Sequence, residues 1–294
     1  MRGVVIATGI ASALAAQSLL APAAEQPIAP REYVYATADS VPLMAYVFVP
    51  EGPRPTRPRA AVALFHGGGW VQGEPAWVFS RARRYARLGM VAVAVQYRLS
   101  DQKNVTPLEA MADARAAFRW IRAQSDSFGI DPRRVAAYGV SAGAHLAVMA
   151  AALDDSLSHA GAGPSPAPNA LVLVSPALAL ESDTWVQRLL LGRATVQSIS
   201  PSTNVRRGMP PTLILQGDVD TVTPLAGNKR FCERMRGAGN ACELHVYEGF
   251  GHLFTPAGIP DGGWPQPDSA TSADAGVRAE RFLASLKFID EVRE

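Results

Sequence analysis

The chain has 294 residues, 48% of them hydrophobic and 18% charged, with a formal net charge of +2. That is enough apolar material for one large core. Lys and Arg are scattered rather than run together, which excludes the basic stripe a nucleic-acid backbone requires.

The N-terminal segment differs from the rest. Arg2 gives a short positive start, residues 3–20 are small and apolar, and Ala21-Pro22-Ala23 has the small-x-small form of a cleavage site. These features predict a signal peptide over residues 1–23 and a secreted or periplasmic protein. Thr8, Ser12, Gln17 and Ser18 make the stretch too polar for a stable membrane span, and no later stretch is long and apolar enough. Residues 24–294 are expected to form a single domain. Export exposes the two cysteines, Cys232 and Cys242, to an oxidising compartment, so a disulfide between them is expected. Two cysteines alone make no zinc site, and neither metal nor cofactor is expected.

Residues 33–37 and 43–49 alternate like half-buried strands, with Val41-Pro42 placed in the turn between them. Residues 60–65 are a continuous apolar run ending at His66-Gly67-Gly68-Gly69-Trp70, the pattern of a buried strand entering a loop. Helical spacing follows over 76–88, with Gly89 as its stop. The theme then repeats: strand 91–97, helix 107–123, strand 135–138, helix 142–153, with Asp131-Pro132 as a turn before the third strand. A Gly-, Pro- and Ser-rich loop covers 156–169. Strand 171–174, a short helix at 185–191, strand 212–216, helix 225–236, strand 243–247 and a last helix at 275–289 complete the pattern. Strand alternating with helix predicts an α/β protein with a mostly parallel sheet of about eight strands and helices on both faces.

Gly139-Val140-Ser141-Ala142-Gly143 falls between a predicted strand and a predicted helix, where G-x-S-x-G forms a sharp turn presenting a serine nucleophile. The turn is tight enough that only glycine fits two residues before and two after the serine. The amide of Ala142, at the start of the helix, points at any negative charge developing beside Ser141. Gly68 and Gly69 are assigned as further amide donors, Gly67 to the turn itself, and Trp70 as a candidate substrate wall. A serine hydroxyl needs a base. Of five histidines, His66 belongs to the glycine loop, His145 to the helix after Ser141, His159 to a polar loop and His245 to a strand. His252, in a glycine-permitted loop after the last strand, is the expected base. Asp218 and Asp220, in Gly217-Asp218-Val219-Asp220, compete as the acid that orients it.

With these motifs the sequence resembles the acetyl-esterase and hormone-sensitive-lipase-like part of the α/β-hydrolase superfamily, from about Tyr33 to Ile289. The resemblance implies an α/β-hydrolase fold and carboxylic ester hydrolysis by a triad of Ser141, Asp220 and His252. In that family the acid stands three residues after the glycine, which is Asp220, leaving Asp218 to cap the turn. The lipases of the group carry a helical cap before the glycine loop. Residues 24–59 here are filled instead by two strands and a Pro- and Arg-rich turn, so no large cap domain is expected. In this the chain is more similar to compact bacterial acetyl and feruloyl esterases. That implies short acyl esters, with a small molecule or a polysaccharide as the alcohol. An amidase or formamidase-like activity would use the same residues, and an inactive binding module of the same fold is a third alternative.

Overall fold

The computed structural model describes residues 28–100, 104–153, 163–259 and 263–290. The predicted leader, His159 and part of the 156–169 loop lie outside them. Eight strands form one sheet: β1 (Arg31–Ala38), β2 (Val41–Phe48), β3 (Arg59–Phe65), β4 (Val91–Val95), β5 (Ile130–Val140), β6 (Ala170–Val174), β7 (Thr212–Gly217) and β8 (Cys242–Tyr247). Their order is β1-β2-β4-β3-β5-β6-β7-β8. The β1/β2 and β2/β4 pairs are antiparallel and the rest are parallel.

Among the described residues eight α-helices accompany the sheet: α1 (Phe79–Arg87), α2 (Pro107–Ala123), α3 (Ser125–Phe128), α4 (Ala142–Ala152), α5 (Thr184–Leu189), α6 (Val196–Ile199), α7 (Leu225–Gly237) and α8 (Ser269–Ser285). Strand alternation divides the core in two. Ala63, Phe65, Val93, Ala137 and Leu173 pack on one face against α2, α4 and α7, and Leu64, Ala94, Ala136, Val172 and Leu215 pack on the other against α1 and α8. No large cap covers the sheet's C-terminal edge among the described residues.

Several boundaries differ from expectation for local reasons. The β1–β2 turn is Asp39-Ser40, both at positive φ, whereas Val41 and Pro42 belong to β2. Pro42 is tolerated because it precedes the β4 pairing, which starts at Ala45. Asp131-Pro132 lies inside β5, where the register against β3 shifts between Arg59 and Ala61. The last helix starts before residue 275, at Ser269, because Asp268 accepts from the N–H of Thr271 at 2.8 Å and caps it.

A disulfide joins Cys232 of α7 to Cys242 at the start of β8. The ring closes the connection that carries β8 alongside β7. The chain order places β4 on one side of β3, and β5 to β8 on the other, so the direction of winding reverses between β3 and β5. In open α/β sheets that reversal opens a crevice at the strands' carboxyl ends. Both the glycine loop after β3 and Ser141 after β5 lie there.

Candidate active site

Ser141 sits between β5 and α4 at φ 51° and ψ −116°, a strained conformation for a residue with a side chain. Surrounding structure holds it. Its N–H donates to the Val174 carbonyl at 2.9 Å, and its carbonyl accepts from Ala144 at 3.1 Å and Ala177 at 3.3 Å. Glycine is obligatory on both sides: a Cβ on Gly143 would overlap the carbonyls of Phe65 and His66, and one on Gly139 would overlap the Ala144 backbone.

Strand β8 leads through a loop to His252, which opens a short 3-10 turn to Phe254. His252 Nε2 stands 3.1 Å from Ser141 Oγ, and its Nδ1 stands 2.9 Å from Asp220 Oδ2. Asp220 is buried and richly hydrogen-bonded. Oδ1 accepts from the N–H groups of Val222 and Thr223 at 2.9 and 2.8 Å, and Oδ2 from the Gln216 amide at 2.9 Å. The Thr223 hydroxyl lies 2.9 Å from Oδ2 and 3.1 Å from the Ser175 carbonyl. Gln216 is itself fixed by Asn228, which donates to its Oε1 at 2.7 Å. With Oδ2 accepting from Nδ1–H, His252 presents Nε2 as the unprotonated nitrogen facing Ser141.

Asp218 lies apart from this line, accepting from the N–H of Gly249 at 2.7 Å and tying the β7 loop to the β8 loop. The turn-capping role is shared, because Asp220 also caps Val222 and Thr223.

Gly68 and Gly69 have φ of 113° and 60°. Their N–H groups, and that of Ala142, have no hydrogen-bond acceptor among the described residues. The loop carrying them is braced from behind. His66 Nδ1 lies 2.7 Å from the Gly67 carbonyl, and its ring stacks on Tyr97 at 4.3 Å. The Tyr97 hydroxyl donates to the His66 carbonyl at 2.9 Å. Burial pushes His66 down to about 4, so the ring is neutral at neutral pH.

His145 is fully buried and likewise pushed down to about 4. Trp70 Nε1–H donates to its Nδ1 at 3.3 Å, which leaves Nε2–H to donate to the Ile199 carbonyl at 2.8 Å. Trp70 is thus a packed ring, only 4% exposed, although one edge lines a cavity beside Ser141. His245 stays in β8, edge-on to Tyr247.

Two cavities meet at Ser141. One, about 660 Å³, is bounded by the glycine loop, His252, Leu253 and three tryptophans, Trp77, Trp185 and Trp264. The other, about 520 Å³, runs past Trp70, Ala177 and Leu178 toward Asp183 and Arg230. None of the three rim tryptophans was singled out from sequence, since lone aromatics carry no spacing signal. Gln216 and Thr223 were missed too, although Thr223, three residues after Asp220, had the spacing of a capping partner. No group of side chains able to hold a metal ion occurs among the described residues.

The sheet order, the strained serine between strand and helix, and the glycine loop on the neighbouring strand define an α/β hydrolase. A family model described as the alpha/beta hydrolase fold matches residues 62–256, and the chain belongs to that family. Within it, the chain is similar to serine esterases of the hormone-sensitive-lipase-like group. Esterase LipC of Mycobacterium tuberculosis is 27% identical over 68% of this chain and 54% of its own length. The acetylxylan esterase of Xylanibacter ruminicola is 25% identical over 70% of this chain and 42% of its own length. The chain spans about half the length of the curated relatives it matches. A solved structure, native esterase 2 of Thermogutta terrifontis, is 33% identical over 92% of this chain and 96% of its own, with a TM-score of 0.79. That enzyme has also been solved with butyrate bound and phosphorylated by paraoxon.

Proposed function

We propose that this protein is a carboxylic ester hydrolase in which Ser141 is the nucleophile, His252 the general base and Asp220 the acid that orients it. The observation that carries this reading is the hydrogen-bonded line from Ser141 Oγ through His252 to Asp220 Oδ2, with contacts of 3.1 and 2.9 Å. His252 Nε2 takes the proton as Ser141 Oγ attacks the ester carbonyl. The N–H groups of Gly68, Gly69 and Ala142 receive the oxyanion. Each such donor is worth roughly 10² to 10³ in rate in a site of this kind. His252 then gives its proton to the departing alcohol, and a water deacylates Ser141 by the same relay. Asp220 keeps Nδ1 protonated and stabilises the imidazolium without itself taking the proton.

The acyl groups favoured by this reading are short, from acetyl to about butyryl. No large cap covers the edge among the described residues, so the part of a long chain that outgrows the site gains little of the roughly 0.8 kcal/mol that burial gives each methylene. Asp183 and Arg230 on the lining of the 520 Å³ cavity work in the same direction. Butyrate bound to the Thermogutta enzyme and the acetyl ester named for the Xylanibacter relative support it. Acetyl or feruloyl groups of polysaccharides fall within the expected class. The Cys232–Cys242 disulfide supports a working place outside the reducing cytosol, secreted or periplasmic.

Hydrolysis of p-nitrophenyl acetate, butyrate and octanoate by the wild type and by Ser141→Ala tests the proposal. The expected result is turnover that falls from butyrate to octanoate and drops by more than about a thousandfold in the variant. Activity that survives in Ser141→Ala would refute it.

A further inference from the structure

Trp77, Trp185 and Trp264 are 45%, 44% and 68% exposed, and all three line the cavity that holds His252. Large rings left in water are costly surface, and three around one opening mark a binding site. Trp77 and Trp264 meet edge to face at 5.5 Å and 78°. In that geometry their faces are roughly perpendicular, forming a corner open to a third ring. The indole nitrogen of Trp185 lies beside Gly69 of the oxyanion loop.

The chemistry of the reaction assigns the two cavities. His252 Nε2 must hand its proton to the departing oxygen, so the alcohol has to leave within hydrogen-bond reach of that nitrogen. His252 lines the 660 Å³ cavity and not the 520 Å³ one. The alcohol therefore belongs in the first and the acyl group in the second. Trp185 and Val222 line both cavities and stand at their divide.

Among the described residues the alcohol cavity has no Lys, Arg, Asp or Glu on its lining, and its His66 is neutral. Apart from that ring and the Ser141–His252 pair, Gln72 is, among the described residues, its one side chain with hydrogen-bonding capacity beyond the indoles. Valines, prolines and Leu253 fill the remaining wall. A polyhydroxylated sugar ring would find one amide to serve its hydroxyls, whereas a flat hydrocarbon ring would find apolar walls and indole faces.

We propose that the leaving alcohol of the natural substrate carries an uncharged aromatic ring, held in the corner of Trp77 and Trp264 in the cavity that Trp185 also lines. This rests on the esterase reading above, and it names the alcohol that reading leaves open. Trp77 and Trp264 are specificity residues for the alcohol rather than participants in bond breaking.

The test compares kcat/KM for 2-naphthylmethyl acetate and cyclohexylmethyl acetate, which share the acyl group and release primary alkoxides. An acetylated xylo-oligosaccharide is the third substrate. In the wild type the aromatic ester should lead the cyclohexyl ester by about tenfold, the size of an extra aromatic contact. That ratio should fall toward one in Trp77→Ala and in Trp264→Ala, neither of whose rings belongs to the hydrophobic core. Inhibition by free 2-naphthylmethanol, weakened in the same variants, gives a second readout that a general loss of fold would not mimic. A wild-type ratio of one, a ratio unchanged in both variants, or faster turnover of the acetylated saccharide would overturn the inference while leaving the esterase standing. Turnover of none of the three esters would instead remove the esterase reading, and this inference with it.

Discussion

Ser141 Oγ and His252 Nε2 lie 3.1 Å apart although 111 residues of chain separate them. The contact is made by the sheet, because β5 ends at the serine while the loop after β8, three strands away, brings the imidazole back across β6 and β7. Any change that moves that returning loop should therefore act on catalysis before it acts on folding.

Gly217 is where the loop is most constrained. A Cβ there would overlap the carbonyls of Phe250 and Gly251, the two residues before His252. Gly217→Ala is expected to push the imidazole away and lower kcat at least tenfold. It should also lower Tm by several degrees, since nothing rigid can yield without cost. Unchanged kcat would show that the loop is free to move.

Replacing Asp220 by Asn should cost up to about 10⁴ in kcat, because the amide can present a donor to His252 and fix the wrong tautomer. Stability should fall as well, since Oδ2 already faces the amide of Gln216 and the hydroxyl of Thr223. Asp218→Asn, by contrast, weakens one contact to Gly249 and should change kcat less than threefold. Steady-state kinetics and thermal melts of both variants separate the two roles, and catalytic collapse in Asp218→Asn would reverse them.

Much of this arrangement was legible in the sequence for a physical reason. A tight turn that exposes a serine admits only glycine at positions 139 and 143, and a buried parallel strand needs unbroken runs such as Ala-Val-Ala-Leu-Phe before His66. Those constraints are local, so they show as spacing. The support of Asp220 by Gln216 and Asn228, and the tryptophan rim, depend on which loops meet in space. Trp77, Trp185 and Trp264 come from three separate connections and share no pattern along the chain. The helices α3 and α6 were invisible for the opposite reason, being too short to show a periodicity.

His145 makes stability depend on pH. Buried between Trp70 and the Ile199 carbonyl, it is held at about 4, against about 6.5 for an unfolded histidine. The unfolded chain therefore binds the proton first as pH falls. Stability from this group is fully present above about pH 6.5 and is lost progressively down to about pH 4, by roughly 3 kcal/mol. Tm measured from pH 7 to pH 4.5 should fall in the wild type and fall less steeply in His145→Gln, which will be less stable at pH 7. Parallel curves would place the acid sensitivity elsewhere.

Removing the disulfide with Cys232→Ser and Cys242→Ser together opens a ring of sequence separation 10. The loop-entropy estimate for so short a ring is roughly 3 kcal/mol, which corresponds to about 6 to 12 °C in Tm for a domain of this size. A melt of the double variant beside the oxidised wild type checks this, and coincident curves would contradict it.

The central claim is that Ser141 is the nucleophile, and covalent labelling tests it most directly. The protein is incubated with a fluorophosphonate, digested and mapped by mass spectrometry, while ester hydrolysis is followed in the same sample. One adduct per chain on Ser141, forming in step with the loss of hydrolysis, is the predicted result. Hydrolysis that disappears with the adduct on another residue, or persists with Ser141 fully labelled, would contradict the account.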